Sequence, residues 1–274
     1  MTQQFKPWFS IEQQVARIES RGMTDAHEFT AEFARIGYYW LSGYWKVFRV
    51  GGSGGGFVSG ARFAHVMALY RFDDTLRATL FASMEKIEIA LRVRIGHVLG
   101  TRDPLGHVHP EALRPNLSRN GWERFVRNYE NSRRNSDEDF EGHYGADYDG
   151  ELPVWAAVEL LSFGDLKHLY GYLRDEDRGV IAKTLGVKAS TLDAWLDPLN
   201  DLRNVCAHHR RIWDREFELN GKPIAMERVI GIVATLLHAL GESAQLTALR
   251  DCMQSFPADL PNNVLAPCVA WPGA

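Results

Sequence analysis

The chain has few cysteines and no long hydrophobic segment. Its 274 residues include three cysteines, Cys206, Cys252 and Cys268, and none of them forms a spaced pair. A sparse, odd number is typical of reduced thiols in a cytoplasmic protein and argues against a disulfide framework. The first residues lack the apolar stretch of a signal peptide. The longest apolar run, residues 229–240, is too short to cross a bilayer. We therefore expect a cytoplasmic protein with no membrane partner.

Strand patterns are also scarce, and no internal repeat of fixed period is visible. Glycine is dense at residues 51–56, where backbone entropy favours a loop. This run lacks the Gly-Lys-Ser/Thr ending of a phosphate-binding P-loop, so we assign it no chemistry.

Charge is segregated along the chain, although the formal net charge is only -4. Residues 114–134 contain six arginines and two glutamates, whereas residues 137–151 contain seven acidic residues and no lysine or arginine. A solvated basic helix followed by an acidic loop explains each segment by itself. Local electrostatic fields affect binding more than the net charge of the whole chain does. The net charge therefore does not exclude nucleic acid as a partner.

Apolar residues recur at three- and four-residue spacing through most of the chain, which predicts an all-α fold. The aromatic residues 38–48 predict a bend packed on the core and allow a short strand. We divide the chain into an N-terminal segment, a helical core with a polar acidic loop at about 131–150, and a C-terminal tail, with bounds 1–60, 61–245 and 246–274. The predicted helices cover about 10–21, 24–37, 62–99 (as one or two helices), 122–129, 154–162, 166–173, 177–185, 192–207 and 226–240.

Cationic side chains are concentrated at residues 202–213, which hold three arginines and two histidines beside apolar positions. Arg203 and His208 are separated by four residues. Histidine exists in both protonation states near neutral pH, and arginine carries a fixed planar charge that can grip phosphate oxygens. This combination suggests chemistry on phosphate.

Three blocks in fixed order surround this pair, at residues 36–45, at 69–77 with 87–92, and from 155 through 162–164 to 202–209. With them the chain resembles the Abi-like group of bacterial abortive-infection proteins, of the AbiD and AbiF type, a branch of the HEPN superfamily. The resemblance implies a HEPN-like helical core, to which the sequence pattern adds an N-terminal helical extension and allows a small β-hairpin near residues 38–60. It also implies a homodimer that brings two Arg-x4-His motifs together, RNA as substrate or partner, and a role in phage defence.

The resemblance further implies a metal-independent endoribonuclease that acts as a toxin-like effector, without a cofactor. In such chemistry the 2'-hydroxyl of RNA attacks the adjacent phosphorus and leaves a 2',3'-cyclic phosphate. We assign the proton transfers to His208 and the phosphate to Arg203.

Geometry complicates this assignment, because residues five apart on a regular helix point about 140° away from each other. Either the helix is distorted near Ala207, or a second copy of the chain completes the site. Asn204, four residues before His208, could fix the imidazole or the RNA. Candidates for holding flanking phosphates are His209, Arg210, Arg211 and Arg215.

Other interpretations stay open. Arg203 could instead form a structural ion pair with Glu85 or Glu88, and His208 could be a core histidine. A non-catalytic module could use the same cleft to bind a structured non-coding RNA. A metal site at His107 and His109, or at His208 and His209, lacks a clear third ligand. No recognition-helix signature indicates DNA binding.

Overall fold

The computed structural model describes residues 7–51, 55–136, 151–262 and 264–272. In these ranges the chain forms eleven α-helices and one two-stranded sheet, so the predicted all-α class is confirmed. The chain divides into two compact units, one of Met1–Arg77 with Arg250–Cys268 and one of Ala78–Leu249 with Val269–Ala274. The predicted boundaries after residues 60 and 245, and the HEPN type of the bundle, stay predictions.

The first unit contains α1 (Ile11–Glu19), α2 (Thr30–Ile36), α3 (Tyr38–Trp45) and the start of α4 (Phe63–Gly100). A capping box begins α1, with the Gln13 amide donating to Ser10 Oγ at 3.3 Å and the Ser10 amide donating to Gln13 Oε1 at 2.9 Å. This motif satisfies two backbone donors that a helix start leaves unpaired.

The aromatic segment at residues 38–48 is helical, which corrects the expected bend and the hairpin near residues 38–60. Between residues 38 and 60, the described part of the chain contains one isolated antiparallel bridge, Arg49 to Phe57, and no strand. The buried residues of α3 are Leu41, Tyr44 and Trp45, a helical spacing. Aromatic residues favour strands mainly because they pack on half-buried surfaces, and a buried helix face offers the same packing.

A buried polar cluster lies within the first unit. Asp73 Oδ2 accepts hydrogen bonds from Tyr44 Oη at 2.7 Å and from the Arg77 guanidinium at 3.0 Å. All three side chains are buried, and Asp74 pairs with Arg77 from the exposed side. Tyr44 belongs to the sequence block 36–45, whereas Asp73 and Arg77 belong to the block 69–77. The cluster therefore brings these two blocks into contact.

The second unit holds the rest of α4, which is a single helix of 38 residues rather than two. It also holds α5 (Arg119–Arg134), α6 (Val154–Ala157), α7 (Phe163–Tyr172), α8 (Asp175–Thr184), α9 (Ala189–Ala207), α10 (Met226–Leu240) and most of α11 (Ser243–Gln254). Helix α5 extends to Arg134, so it covers the beginning of the loop expected at about 131–150. Residues 137–150 lie outside the described residues.

The hairpin of the molecule follows α9. Strands β1 (Glu216–Leu219) and β2 (Lys222–Ala225) pair antiparallel, with Glu216 opposite Ala225 and Leu219 opposite Lys222. Asn220 and Gly221 form the turn with φ values of 53° and 73°. Two consecutive positive φ values are the signature of the tight hairpin turn that Asn-Gly favours.

None of the described helices is long and apolar enough to cross a membrane.

Candidate functional site

Helix α9 carries the Arg-x4-His motif on its last turns. Leu199, Leu202, Val205 and Cys206 are buried, and they fix the orientation of the helix against the core. Arg203 and Asn204 are half-buried. The motif therefore begins at the edge of the core and ends beyond the helix, where His208 is exposed.

The chain leaves α9 through a Schellman motif. The Arg210 amide donates to the Val205 carbonyl at 2.9 Å, and the His209 amide donates to the Cys206 carbonyl at 3.0 Å. The His208 amide still donates to the Asn204 carbonyl at 3.0 Å, so the helical pattern continues to this residue. These hydrogen bonds show no distortion of the helix near Ala207, and the alternative, a second copy of the chain that completes the site, stays a prediction.

His209 occupies the left-handed position of this motif, with φ of 56°. Glycine is the usual residue there, because a side chain costs roughly 1–2 kcal/mol in this conformation. We expect His209→Gly to leave the free energy of unfolding unchanged or to raise it by up to about 1 kcal/mol, since glycine also loses more chain entropy on folding. Urea unfolding measures this difference. His209→Val serves as the control and should destabilise; a loss of stability in His209→Gly would contradict the cap geometry.

Arg203 lines an open groove of about 300 Å³ along α4. Its Nε lies 3.6 Å from Glu88 Oε2, which makes the contact an ion pair longer than a hydrogen bond. The Arg203 side chain is 32% exposed and that of Glu88 is 12% exposed. The lining residues are Phe81, Met84, Glu85, Glu88, Ile89, Arg92 and Arg203.

Glu88 also holds a second cation. Its Oε1 accepts a hydrogen bond from the Arg92 guanidinium at 2.6 Å. Arg92 in turn donates to the Leu161 carbonyl at 3.0 Å and lies 3.4 Å from Glu159. One half-buried carboxylate therefore positions two guanidinium groups at the groove, while Arg203 makes no other ion pair with the described residues.

Arg92 and Glu159 are site residues that the sequence reasoning missed. The four-residue spacing of Glu88 and Arg92 on one helix was an available signal. The contact with Leu161 joins the sequence blocks 87–92 and 155–164, so a second pair of blocks meets at this groove.

The other predicted site residues do not line the groove. His208, His209 and Arg210 are exposed at the end of α9, whereas Asn204, Arg211 and Arg215 are half-buried. The guanidinium of Arg215 lies over the ring of Phe217 at 5.7 Å. The structure thus brings Arg203 together with Glu88 and Arg92, but it does not gather the predicted phosphate-holding arginines around it.

The two histidines of the alternative metal site have separate environments. The His107 ring is buried against Tyr129, with ring centroids 4.8 Å apart, and burial followed by the charge of His109 lowers the pKa of His107 to about 4. His109 Nδ1 lies 2.7 Å from Asp103 Oδ2, and this hydrogen bond raises the pKa of His109. Among the described residues no group of three or more His, Cys, Asp or Glu side chains is arranged to hold a metal ion.

Comparison with known proteins gives one match. No curated protein and no solved structure matches the chain. The family model described as Abi-like protein matches residues 32–214, and these residues include the groove, α9 and the end of the Arg-x4-His motif. This match covers more than half of the chain and supports a role related to abortive infection. The chain belongs to the Abi-like protein family.

Proposed function

We propose that this protein is a metal-independent, HEPN-type endoribonuclease that acts in the cytoplasm as a toxin-like effector of abortive infection. The observation that carries the proposal is the Arg203 guanidinium, which Glu88 orients at an open groove while a third of the side chain stays exposed. His208 follows five residues later and is exposed at the end of the same helix. One short segment therefore supplies both a cation that can bind phosphate, Arg203, and a side chain that can transfer protons, His208.

The proposed reaction is attack of a 2'-hydroxyl on the adjacent phosphorus. A base removes the hydroxyl proton as the new oxygen–phosphorus bond forms, and an acid protonates the departing 5'-oxygen. His208 is suited to both proton transfers, because the unperturbed pKa of histidine is about 6.5. Arg203 stabilises the charge that develops on the non-bridging oxygens. Asn204, which precedes His208 by one helical turn, would orient the imidazole or the RNA.

One His208 cannot be base and acid at the same moment, and it points away from Arg203 on a regular helix. A homodimer resolves both difficulties by supplying a second His208. Helix α4 offers a surface for a second copy, because Phe81, Ile89 and Val93 are exposed beside the groove. Exposed apolar patches of this kind mark interfaces.

Val93→Glu tests the proposed dimer. Val93 is 58% exposed, so the substitution should leave the fold intact while it places a charge in the interface. We expect the variant to sediment as a monomer and to lose RNA cleavage together with dimerisation. Leu265→Glu is the control, since Leu265 is 81% exposed and lies outside helix α4. A wild-type protein that cleaves RNA as a monomer would contradict the shared site.

The activity itself is tested by incubating the purified protein with labelled single-stranded RNA in EDTA, with DNA of the same sequence as the control. We expect the RNA to be cut and the DNA to stay intact, because only RNA has the attacking 2'-hydroxyl. Tight RNA binding without cleavage would instead indicate the non-catalytic module, with a structured non-coding RNA as its partner. Cleavage that EDTA abolishes would contradict the metal-independent mechanism.

The remaining cations of this segment are proposed as RNA contacts rather than catalytic groups. His209 and Arg210 are exposed directly after His208, and Arg211 and Arg215 follow at half-buried positions. Side chains that contact only phosphates position the substrate without reading its sequence.

A further inference from the structure

The arginine-rich segment at residues 114–134 plays no part in the proposed reaction. Most of it is α5, whose buried residues Trp122, Phe125 and Tyr129 form one face of the helix. At 100° per residue, Arg124 and Arg127 lie on the opposite face, and both are exposed. The helix therefore packs its aromatic face on the core and presents arginine to solvent.

These outer arginines lack carboxylate partners. Arg119 at the start of α5 pairs with Glu123 at 3.0 Å, but neither Arg124 nor Arg127 forms an ion pair with any described residue. Arg134, at the end of the helix, donates to the side chain of Asn131 and likewise has no ion pair within the described ranges. The outer face of α5 thus carries, over about 15 Å of helix, three arginines that form no ion pair with a described residue.

A pair of stacked rings lies on α7, which contacts the flank of α5 through Asp165 and Asn128. The rings of His168 and Tyr172 have centroids 6.3 Å apart and planes inclined by 19°. Tyr172 contacts the aromatic face of α5 through Trp122 and Phe125, and His168 is exposed. Burial raises the pKa of Tyr172, and the charges of Arg114 and Arg124 oppose that rise, which places both arginines near the ring.

Arg114 adds a cation with an unmet hydrogen-bonding group. Its amide donates to the Tyr172 carbonyl at 3.0 Å, and its buried Nε has no hydrogen-bond partner among the described residues. A buried unpaired donor costs free energy and calls for an acceptor.

The carboxylates near these rings are already engaged. Asp165 is buried and accepts hydrogen bonds from Asn128 at 3.2 Å and from Ser162 at 2.6 Å. Asp197 pairs with Lys167 at 2.7 Å. Neither of these two carboxylates therefore pairs with an arginine of α5.

We infer that the outer face of α5, together with the exposed ring of His168, binds single-stranded RNA. Arg124, Arg127 and Arg134 contact successive phosphates, and an unstacked base packs on the exposed His168 ring. Guanidinium groups match phosphate geometry, and aromatic rings stack on any base, so the surface favours RNA strands without strong sequence preference. This inference rests on the proposed RNA substrate, and it adds a second contact area outside the α9 motif.

Binding of a labelled single-stranded RNA to His208→Ala protein tests the surface without cleavage. In this background we add Arg124→Gln with Arg127→Gln and compare it with Arg119→Gln plus Lys183→Gln, which removes the same net charge from the same unit. Each lost phosphate contact reduces the salt slope by about 0.7 for single strands. We expect the first pair to reduce the slope by about 1.4 and to weaken binding by about tenfold or more. The control pair should change the slope little, because Arg119 is neutralised by Glu123.

Substitutions of His168 test the proposed contact between its ring and an RNA base. We expect His168→Ala to weaken RNA binding by about fivefold or more without changing the salt slope, and His168→Phe to retain the affinity, because stacking needs the ring and not the charge. Equal affinity of the arginine pair and the control pair would overturn the inference. If the wild type cleaves no RNA but α5 still governs binding, the nuclease proposal fails and the surface stands.

Discussion

His208→Ala is expected to slow RNA cleavage by about 100- to 10,000-fold, which is the usual contribution of a general acid–base group. Arg203→Ala should slow it by about 100- to 1,000-fold, because it removes a charge that stabilises the transition state. His208 is exposed, so its loss should leave the fold intact. Single-turnover cleavage of one labelled RNA measures both rates.

His238→Ala is the matched control for these rates, because His238 is an exposed histidine of the same unit outside the motif. It should cleave RNA at the wild-type rate. Glu88→Gln keeps Arg203 but removes the charge that orients it, so we expect a smaller loss than in Arg203→Ala. An unchanged rate in His208→Ala would remove this residue from the mechanism.

Asp73→Ala is expected to lower the free energy of unfolding by about 3–5 kcal/mol, the usual effect of removing one partner from a buried ion pair. Asp73 is fully buried and accepts hydrogen bonds from Tyr44 and Arg77. Its loss leaves the Arg77 charge without its inner partner. Denaturant unfolding measures the change.

Asp74→Ala is the control, because Asp74 meets the same guanidinium but its side chain is 61% exposed. We expect it to cost less than about 1 kcal/mol, as surface ion pairs do. Tyr44→Phe removes one hydrogen bond, so its loss of unfolding free energy should lie between those of Asp74→Ala and Asp73→Ala. Equal losses of unfolding free energy in Asp73→Ala and Asp74→Ala would contradict the stabilising role of the buried cluster.

Much of the helical fold could be predicted from apolar periodicity. The spacing of Leu76, Leu80, Met84, Ile87 and Leu91 predicts a long core helix, and α4 buries all five. Periodicity did not decide between one helix and two, because it gives no break signal within the segment. At residues 38–48 strand propensity was misleading, since those aromatic residues pack on a helix face.

The hairpin shows a different limit. Asn220-Gly221 is a strong turn signal, but each strand has only four residues and the flanking positions are partly charged. Strand β1 alternates polar and apolar residues, but four residues are the shortest run that can indicate a strand. The turn signal was present in the sequence, but no hairpin was predicted at this position.

The candidate site was only partly predictable for a physical reason. Sequence spacing located Arg203 and His208 and offered Glu88 as an ion-pair partner, and the structure confirms the pair of Arg203 with Glu88. Sequence spacing could not locate the contact of Arg92 with the Leu161 carbonyl, because that contact depends on packing between residues 69 positions apart. Likewise, the sequence shows the arginine-rich segment only as a solvated helix, and α5 is needed to show which of its arginines form no ion pair with a described residue.

The most direct test of the central claim is the chemistry of the cleaved ends. RNA cut by the wild-type protein in EDTA should carry 2',3'-cyclic phosphates and 5'-hydroxyls, because the attacking group is the 2'-hydroxyl of the RNA itself. Mass spectrometry of the fragments distinguishes these ends from others. Fragments with 3'-hydroxyls and 5'-phosphates would show that water is the nucleophile and would contradict the role assigned to Arg203 and His208.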